Sequence, residues 1–261
     1  MLYINNKEKL ERIKLEKDNF YVVSDFDRTL TDGNANGTWE ILEKSGINNN
    51  EYRKRTKELY NYYRPIEIDP MISEKERSEQ MEIWWKKHVH LFYEFKLGEE
   101  DISESIKNSG LNYREGASEF LFQMKKDNVP VVIISAGIGN IISGFLKATN
   151  TDYENIKILS NFIKFTNGII DTFEGEVIHS FNKNIVSLSE DIKETRKNIL
   201  LLGDCIGDLK MVDNKKLEDT ITVGFLEEEI ESNLPYFNKS FDIVLTEMGS
   251  FYELNKVLNI R

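Results

Sequence analysis

Cysteine and histidine are scarce in this chain of 261 residues, which holds one Cys and three His. The single thiol, Cys205, cannot form a disulfide within the chain and cannot build a zinc cluster of several thiolates. The histidines, His88, His90 and His179, show no metal-ligand spacing beyond the weak pair at 88 and 90. No redox role is therefore predicted.

Long apolar segments and concentrated basic runs are also missing. The first 18 residues alternate charge with Leu10, Ile13 and Leu15 and hold no unbroken apolar stretch of signal-peptide length, and no later stretch approaches the length of a membrane span. A net charge of −11 disfavours nucleic-acid polymers and anionic membranes as partners. We expect a soluble cytoplasmic protein, and a monomer, in which local positive charge holds any anionic substrate.

Five short apolar runs alternate with segments of helical periodicity. The runs are Phe20–Val23, Val129–Ile134, Asn198–Leu202, Thr220–Phe225 and Phe241–Leu245, and the helices are Ala117–Lys126, Ile141–Ala148 and Phe251–Leu258. A further strand is predicted at Ile156–Asn161, followed by a hairpin of Ile163–Phe165 and Ile169–Phe173. This alternation is typical of an α/β fold, with a doubly wound parallel sheet of Rossmann type covered by helices on both faces.

Residues 34–112 differ from the rest, because they are rich in Glu, Lys, Tyr and Trp and contain no convincing buried strand. The helices predicted here are Glu51–Tyr63, Ser73–Phe95 and Glu99–Ser109. Pro65 and Pro70 are expected to break the chain between the first two. Because this segment leaves directly after the first predicted strand, we expect a helical cap inserted there as a lid, on a core of residues 1–33 and 113–261.

Two acidic pairs follow two of the predicted strands. Asp25 and Asp27 come after the first strand, and Asp204 and Asp208 come after Asn198–Leu202. Because α/β sheets bind ligands at the carboxyl ends of their strands, the four carboxylates should converge. Crowded carboxylates resist ionisation unless a divalent cation compensates, and an all-oxygen set suits Mg²⁺. We expect Asp25, Asp204 and the Asp27 carbonyl to bind Mg²⁺, with Asp208 just behind them.

Phosphate-binding groups are predicted at two further places. Ser135 and Ala136 close the strand Val129–Ile134, where a hydroxyl and the following N–H groups can bind phosphate near a helix start. Lys183 is a candidate cation for the transferring group. Each motif alone is common in solvated turns. Together, in the order Asp, Ser, Lys, Asp, they reproduce the four motifs of the haloacid dehalogenase-like phosphatases, which the chain resembles throughout.

Longer strings carry a closer resemblance over nearly the whole chain. They are Tyr62 to Pro70, Ser135 to Gly139, Ser160-Asn161-Phe162, Phe173-Glu174-Gly175, Ile178-His179, Phe181-Asn182-Lys183 and Leu201 to Asp204. These strings are similar to those of the cytosolic 5′-nucleotidase III family, also called pyrimidine 5′-nucleotidases. The resemblance implies Mg²⁺-dependent hydrolysis of nucleoside 5′-monophosphates, with a preference for UMP and CMP and, in some members, for 7-methyl-GMP.

The resemblance also implies a role for single residues. It assigns the nucleophile to Asp25, the acid and base to Asp27, the phosphate contacts to Ser135, Ala136 and Lys183, and base recognition to Glu67. His88 stands where the family has a serine that contacts substrate. Of the cap aromatics, Trp84 and Trp85 are expected to pack the cap's own core, and stacking of one of them or of Tyr63 on the base is the alternative.

Two other functions share these core motifs. One is a phosphatase of another small metabolite, such as phosphoserine or a sugar phosphate, and the cap decides between it and a nucleotidase. The other is a receiver domain, which gathers acidic residues, a phosphorylated Asp, a hydroxyl and a Lys without turning over substrate. Asp27, which supplies an acid and base, and the long helical insert both disfavour the receiver.

Overall fold

The computed structural model describes residues 1–46, 49–69, 71–185 and 195–260. Its strands are β1 (Leu2–Ile4), β2 (Phe20–Ser24), β3 (Val131–Ile138), β4 (Ile156–Asn161), β5 (Ile163–Thr166), β6 (Ile169–Phe173), β7 (Asn198–Gly203), β8 (Thr220–Leu226) and β9 (Ile243–Thr246). Seven of them form one sheet in the order β1-β9-β8-β7-β2-β3-β4, in which only β1 is antiparallel to its neighbour. The strands β5 and β6 form a separate hairpin.

The helices lie between the strands and after the last one, with five of them in succession between β2 and β3. They are α1 (Lys7–Arg12), α2 (Thr38–Ile41), α3 (Asn50–Ile68), α4 (Glu74–Glu94), α5 (Glu99–Asn108), α6 (Ala117–Lys126), α7 (Gly139–Ala148), α8 (Ile230–Ser240) and α9 (Phe251–Leu258). Alternate side chains of β2 enter two different apolar clusters, one with α6, α7 and α9 and the other with α8. Both faces of the sheet are therefore covered, which is why its central strands read as unbroken apolar runs. The predicted α/β fold is confirmed.

Three predictions of local structure are wrong. The edge strand β1 was not predicted, because its apolar run is only four residues long, from Met1 to Ile4, and polar side chains follow at once; the insert therefore follows the second strand rather than the first. Helix α3 continues through Pro65 to Ile68, because the missing N–H falls in the last turn, where it costs one bond. Pro70 lies outside the described residues. Phe241 ends α8 instead of starting β9, since its N–H donates to Phe237 O.

Helices α2 to α5 pack on the core beside the hairpin. Side chains of these helices form one apolar cluster with Ile138 and Ile141 of the core and with Ile163 and Ile170 of the hairpin. The Tyr93 hydroxyl also donates to the carbonyl of Asp171 at 2.6 Å. The hairpin thus supports the helical insert, and the division into residues 1–33 and 113–261 against 34–112 stays a prediction.

The chain leaves the core and returns to it at one place. Thr31 and Tyr113 form an isolated β-bridge, Asp32 N–H donates to Asn112 O at 3.0 Å, and Arg114 N–H donates to Leu30 O at 2.9 Å. The two connections to the insert therefore run side by side, directly after the loop that carries Asp25 and Asp27. Among the described residues, no helix combines the length and the apolar character that crossing a membrane requires.

Candidate active site

Asp25 lies at the point where β2 leaves the sheet. Its N–H still donates to Leu202 O of β7 at 3.0 Å, and the residue is only 5% exposed. Burial raises the pKa of Asp25 well above its usual value; Lys183 opposes this shift, while Asp208 and Asp204 add to it. The carboxylate is therefore fixed in position and poorly hydrated at the carboxyl end of the sheet.

Lys183 joins the two acidic loops. Its Nζ lies 2.6 Å from Asp25 Oδ1 and 2.6 Å from Asp208 Oδ1. Burial alone would lower the pKa of Lys183, but Asp208 and Asp25 outweigh it and hold the pKa well above its usual value. The ammonium is thus a permanent positive charge beside Asp25.

Asp208 organises the loop that follows β7. Its Oδ2 accepts from the N–H groups of Asp204 and Cys205, each at 3.1 Å, and its Oδ1 accepts from Lys183. Both oxygens are therefore engaged within the protein, and Asp208 lies behind Asp204. Burial raises the pKa of the Cys205 thiol well above its usual value, and Asp208 and Asp204 add to this, so a nucleophilic thiolate is disfavoured.

Asp27 is held by the first residue of α2. Both of its carboxylate oxygens lie 3.2 Å from the Thr38 N–H, and Oδ2 lies 3.3 Å from Thr38 Oγ1. Burial raises the pKa of Asp27 to about 6, although the hydrogen bonds from Thr38 work in the opposite direction. A carboxyl with such a pKa can both give and take a proton near neutral pH.

Thr38 also reaches the loop that carries Ser135. Its hydroxyl accepts from Ile138 N–H at 3.0 Å, and Ser135 Oγ accepts from Gly137 N–H at 3.0 Å. A Cβ at Gly137 would lie 2.2 Å from Thr38 Oγ1, so only glycine fits between them. Since Gly137 and Ile138 already donate within the protein, fewer N–H groups after Ser135 remain for phosphate than the sequence predicts.

A cleft of about 590 Å³ separates these groups from the helical insert. Most of the site residues predicted from the sequence line it, namely Asp25, Asp27, Glu67, His88, Ser135, Ala136, Lys183 and Asp204. Asp208 lies beneath its surface and is fully buried. The structure thus brings together residues at the carboxyl ends of β2, β3 and β7, Lys183 from the one-turn helix Lys183–Ile185, and residues of two helices of the insert.

Glu67, near the end of α3, connects the insert to the core. Its Oε2 pairs with Arg64 at 2.6 Å, and its Oε1 accepts from Ser180 Oγ at 2.5 Å. Arg77 of α4 donates to the Glu67 carbonyl at 3.2 Å and lies over the Phe181 ring, 4.8 Å from its centroid. Glu67 therefore lies against the loop that carries Lys183.

The insert lines its side of the cleft with aromatic rings. The His88 ring centroid lies 5.0 Å from that of Trp39 and 5.9 Å from that of Trp84. Trp84 Nε1 and His88 Nδ1 are buried and have no hydrogen-bond partner among the described residues. Burial lowers the pKa of His88 to about 4, so its ring is neutral at pH 7.

The two adjacent tryptophans face different surroundings. Trp85 is 6% exposed and packs against Trp39 and Phe173, with ring centroids 4.3 and 5.3 Å away, as expected for a core residue. Trp84 stacks nearly parallel on Tyr63, with an interplanar angle of 12°. Tyr63 is only 2% exposed and lies behind Trp84. Of the two tryptophans, Trp84 is therefore the better placed to stack on a base.

The two acidic loops, which follow β2 and β7, offer oxygen atoms of the kind that bind a divalent cation. Ligand atoms of Asp204, Cys205 and Asp208 lie within 4.8 Å of one another, beside Asp25. Burial raises the pKa of Asp204 to about 7, and Asp208 adds to this shift. Crowded carboxylates of this kind are stabilised as anions by a hard cation, and carboxylate and carbonyl oxygens are the ligands that Mg²⁺ prefers.

Some residues of the site were not predicted. Thr38, which holds Asp27, and Trp39, whose Nε1 donates to Ala136 O at 3.2 Å, both belong to a one-turn helix with little periodic signal. A second group is the buried ion pair of Arg114 and Glu227 behind the Asp27 loop. The sequence signal that could have drawn attention to Thr38 is its place directly after Gly37, at the start of a helix.

This sheet, with Asp, Ser and Asp at the ends of β2, β3 and β7 and a Lys beside them, beneath a helical insert, defines a core of the haloacid dehalogenase-like class. A phosphoserine phosphatase, solved as a phospho-aspartyl intermediate analogue, matches with a TM-score of 0.59 at 19% identity, over 92% of this chain and 99% of that one. At that identity the match shows the fold alone. Residues 23–260 match the pyrimidine 5′-nucleotidase (UMPH-1) family model, and the chain belongs to this family.

Individual relatives agree with this family. A 7-methylguanosine phosphate-specific 5′-nucleotidase of Xenopus laevis is 35% identical over 264 residues, which cover 97% of this chain and 91% of that protein. The crystal structure of cytosolic 5′-nucleotidase IIIB bound to cytidine matches with a TM-score of 0.85 at 28% identity, over 99% of this chain and 93% of that one. The family predicted from the sequence is therefore confirmed.

Proposed function

We propose that the protein is a magnesium-dependent 5′-nucleotidase, which hydrolyses nucleoside 5′-monophosphates to nucleoside and phosphate. Membership of the family supports the activity. The single observation that carries it is the convergence of Asp25, Asp27, Lys183 and Ser135 on one cleft whose other wall is aromatic. A volume of about 590 Å³ lies within the usual range for small-molecule sites.

In the first step, Asp25 attacks the phosphorus in line with the bond to the 5′-oxygen. That bond breaks with its electron pair on oxygen, and neutral Asp27 gives its proton to the departing nucleoside. The product is an aspartyl-phosphate on Asp25 and an ionised Asp27. A pKa of about 6 leaves part of Asp27 protonated near neutral pH, as this step requires.

In the second step, Asp27 takes a proton from a water molecule, which attacks the phosphorus of the aspartyl-phosphate. Phosphate leaves and Asp25 is restored. Lys183 and the groups around Ser135 offset negative charge on the phosphoryl oxygens in both steps. A magnesium ion held by Asp25, Asp204 and the Asp27 carbonyl would supply further positive charge at the same oxygens.

For the base, we infer that 7-methyl-GMP is turned over with UMP and CMP and is preferred to them. Relatives named for 7-methylguanosine phosphate support this inference. Methylation gives the purine a positive charge, which the faces of Trp39 and Trp84 attract more strongly than a neutral pyrimidine. Glu67 adds a carboxylate, and neutral His88 offers one donor and one acceptor to the base edge.

The alternatives have less support. A phosphoserine-like phosphatase would share the strand-end groups, but the aromatic wall would have no role in binding its substrate. A receiver would need no residue in the position of Asp27, which faces the cleft. A cytosolic location is proposed, in line with the names of relatives, and a monomer stays a prediction.

Phosphate release from a panel of monophosphates tests the function. The panel is UMP, CMP, AMP, GMP, 7-methyl-GMP, phosphoserine and glucose 6-phosphate, each with Mg²⁺ and with EDTA. We expect the highest kcat/KM for 7-methyl-GMP, then for the pyrimidine nucleotides, and loss of activity with EDTA that added Mg²⁺ restores. Activity on phosphoserine or glucose 6-phosphate alone would refute the nucleotidase assignment. It would remain consistent with Asp25 as the nucleophile of a phosphatase.

A further inference from the structure

Arg114 lies where the chain returns from the helical insert, and its side chain is only 1% exposed. The guanidinium donates to backbone carbonyls of two different loops: Nε to Thr29 O at 3.1 Å, Nη2 to Arg28 O, and Nη1 to Gly249 O at 3.0 Å. Two of these carbonyls belong to the residues that directly follow Asp27. An arginine in this place ties the catalytic loop to the base of the insert.

The buried charge of Arg114 is compensated locally. Nη1 lies 2.6 Å from Glu227 Oε1, and Glu227 Oε2 accepts from Met248 N–H at 2.8 Å. The guanidinium carbon also lies 4.3 Å from the centroid of the Phe225 ring. Because a buried ion pair is tolerated only when its hydrogen bonds are satisfied, this arrangement is held in one geometry.

Arg28 shows why the loop needs such a support. Its φ is +60°, in the left-handed region that side chains other than glycine rarely adopt. Such a backbone persists only where surrounding contacts hold it. The Arg28 N–H donates to Thr31 Oγ1 at 2.8 Å, and its carbonyl is held by Arg114. This strained peptide is the one that directly follows Asp27.

We propose that Arg114 is a positioning residue for Asp27, an inference that rests on the proposed function. It acts through the carbonyls of Arg28 and Thr29, while Thr38 holds the Asp27 carboxylate from the side of the insert. Asp27 must reach the leaving 5′-oxygen within hydrogen-bond distance, and a displacement of about 1 Å can cost on the order of 100-fold in rate. Removal of Arg114 should therefore weaken proton transfer more than substrate binding.

The test compares Arg114→Lys with the matched control Arg196→Lys. Arg196 also donates to three backbone carbonyls, those of Lys17, Phe20 and Asn128, but at the opposite end of the sheet. For each variant, kcat, KM and Tm are measured with the best nucleotide of the panel. Alcohol release in the first turnover is measured with that nucleotide and with p-nitrophenyl phosphate, whose phenolate leaves without help from an acid.

For Arg114→Lys we expect first-turnover release from the nucleotide to fall at least about tenfold, with KM and the first turnover of p-nitrophenyl phosphate within about threefold. Arg196→Lys should lower Tm but leave kcat within about twofold. Equal losses on both substrates, or unchanged release from the nucleotide, would overturn the proposal. If Arg114→Lys does not fold, Glu227→Gln takes its place under the same criteria.

A failure of the proposed function looks different. In that case the wild-type protein itself releases no phosphate from any nucleotide, whatever the state of Arg114. The comparison of first turnovers can then be made with the alkyl phosphate that the wild type does hydrolyse. A selective loss on that substrate still supports the positioning role, and a uniform loss still overturns it.

Discussion

The two sides of the cleft are built in opposite ways. The floor, formed by Asp25, Asp27, Ser135, Lys183 and Asp204, is charged, and the side chains of the first four are bonded to one another or to the backbone. The wall, formed by Trp39, Trp84, His88 and Glu67, is mainly aromatic. Two of its buried polar atoms, Trp84 Nε1 and His88 Nδ1, are unpaired within the part of the chain that the structure describes.

Because of this difference, the floor determines the catalytic step and the wall determines which substrate binds. A buried polar atom without a partner costs free energy, which a bound ligand can recover. Asp25, Asp27, Ser135 and Lys183 of the floor already make hydrogen bonds or ion pairs within the protein, so their positions are set before any substrate arrives. The wall leaves donors and acceptors for a base. We therefore expect changes in the floor to alter kcat, and changes in the wall to alter KM and the choice of substrate.

The largest effect is expected from Asp25→Asn in the floor. Loss of the nucleophile should lower kcat by at least about 10⁴-fold, the scale found when a nucleophile is removed from other enzymes. The matched control is Asp242→Asn, another buried carboxylate, which accepts from Thr222 N–H and Oγ1 and from Lys9, each at 2.9 Å. It should lower Tm and spare kcat. Substantial activity in pure Asp25→Asn would contradict the covalent mechanism.

The next effect concerns His88 and the stability of the wall. Its pKa is about 4 when folded and near 6.5 when unfolded, so the unfolded state binds the proton first as pH falls. The free energy of unfolding should therefore decrease between pH 6.5 and 4, by up to about 3 kcal/mol from this residue. Urea unfolding at several pH values checks this. The His88→Asn variant should lack that part of the decrease. If the wild type and the variant lose the same free energy of unfolding between pH 6.5 and 4, the prediction is wrong.

A smaller effect is expected from Trp84→Ala in the wall. Loss of a stacking ring typically costs about 1 to 3 kcal/mol per base, so KM for 7-methyl-GMP should rise by roughly 5-fold to 150-fold. Ribose 5-phosphate, which lacks the base, serves as the control substrate, and its kcat/KM should not change. Trp84→Phe should fall between wild type and Trp84→Ala. A parallel loss on ribose 5-phosphate would mean that Trp84 supports the fold instead of the base.

The floor was more predictable from the sequence than the wall. Asp25 and Asp204 directly follow apolar runs that are buried on both sides of the sheet, so strand position and residue type together indicated their place. Thr38 and Arg114 could not be found in this way. Thr38 meets Ile138, which is 100 residues away, and Arg114 meets Glu227, which is 113 residues away, so only the folded chain brings these partners together.

The paired connections at Thr31 and Tyr113 have a consequence for the history of such proteins. The insert begins and ends at neighbouring positions, so it leaves the sheet and returns to it at one point. Its removal or replacement would therefore leave the order of the strands intact. Long insertions at such points cost little in chain entropy. A new specificity can therefore be acquired by exchanging one continuous segment of the gene, while the chemistry is inherited unchanged.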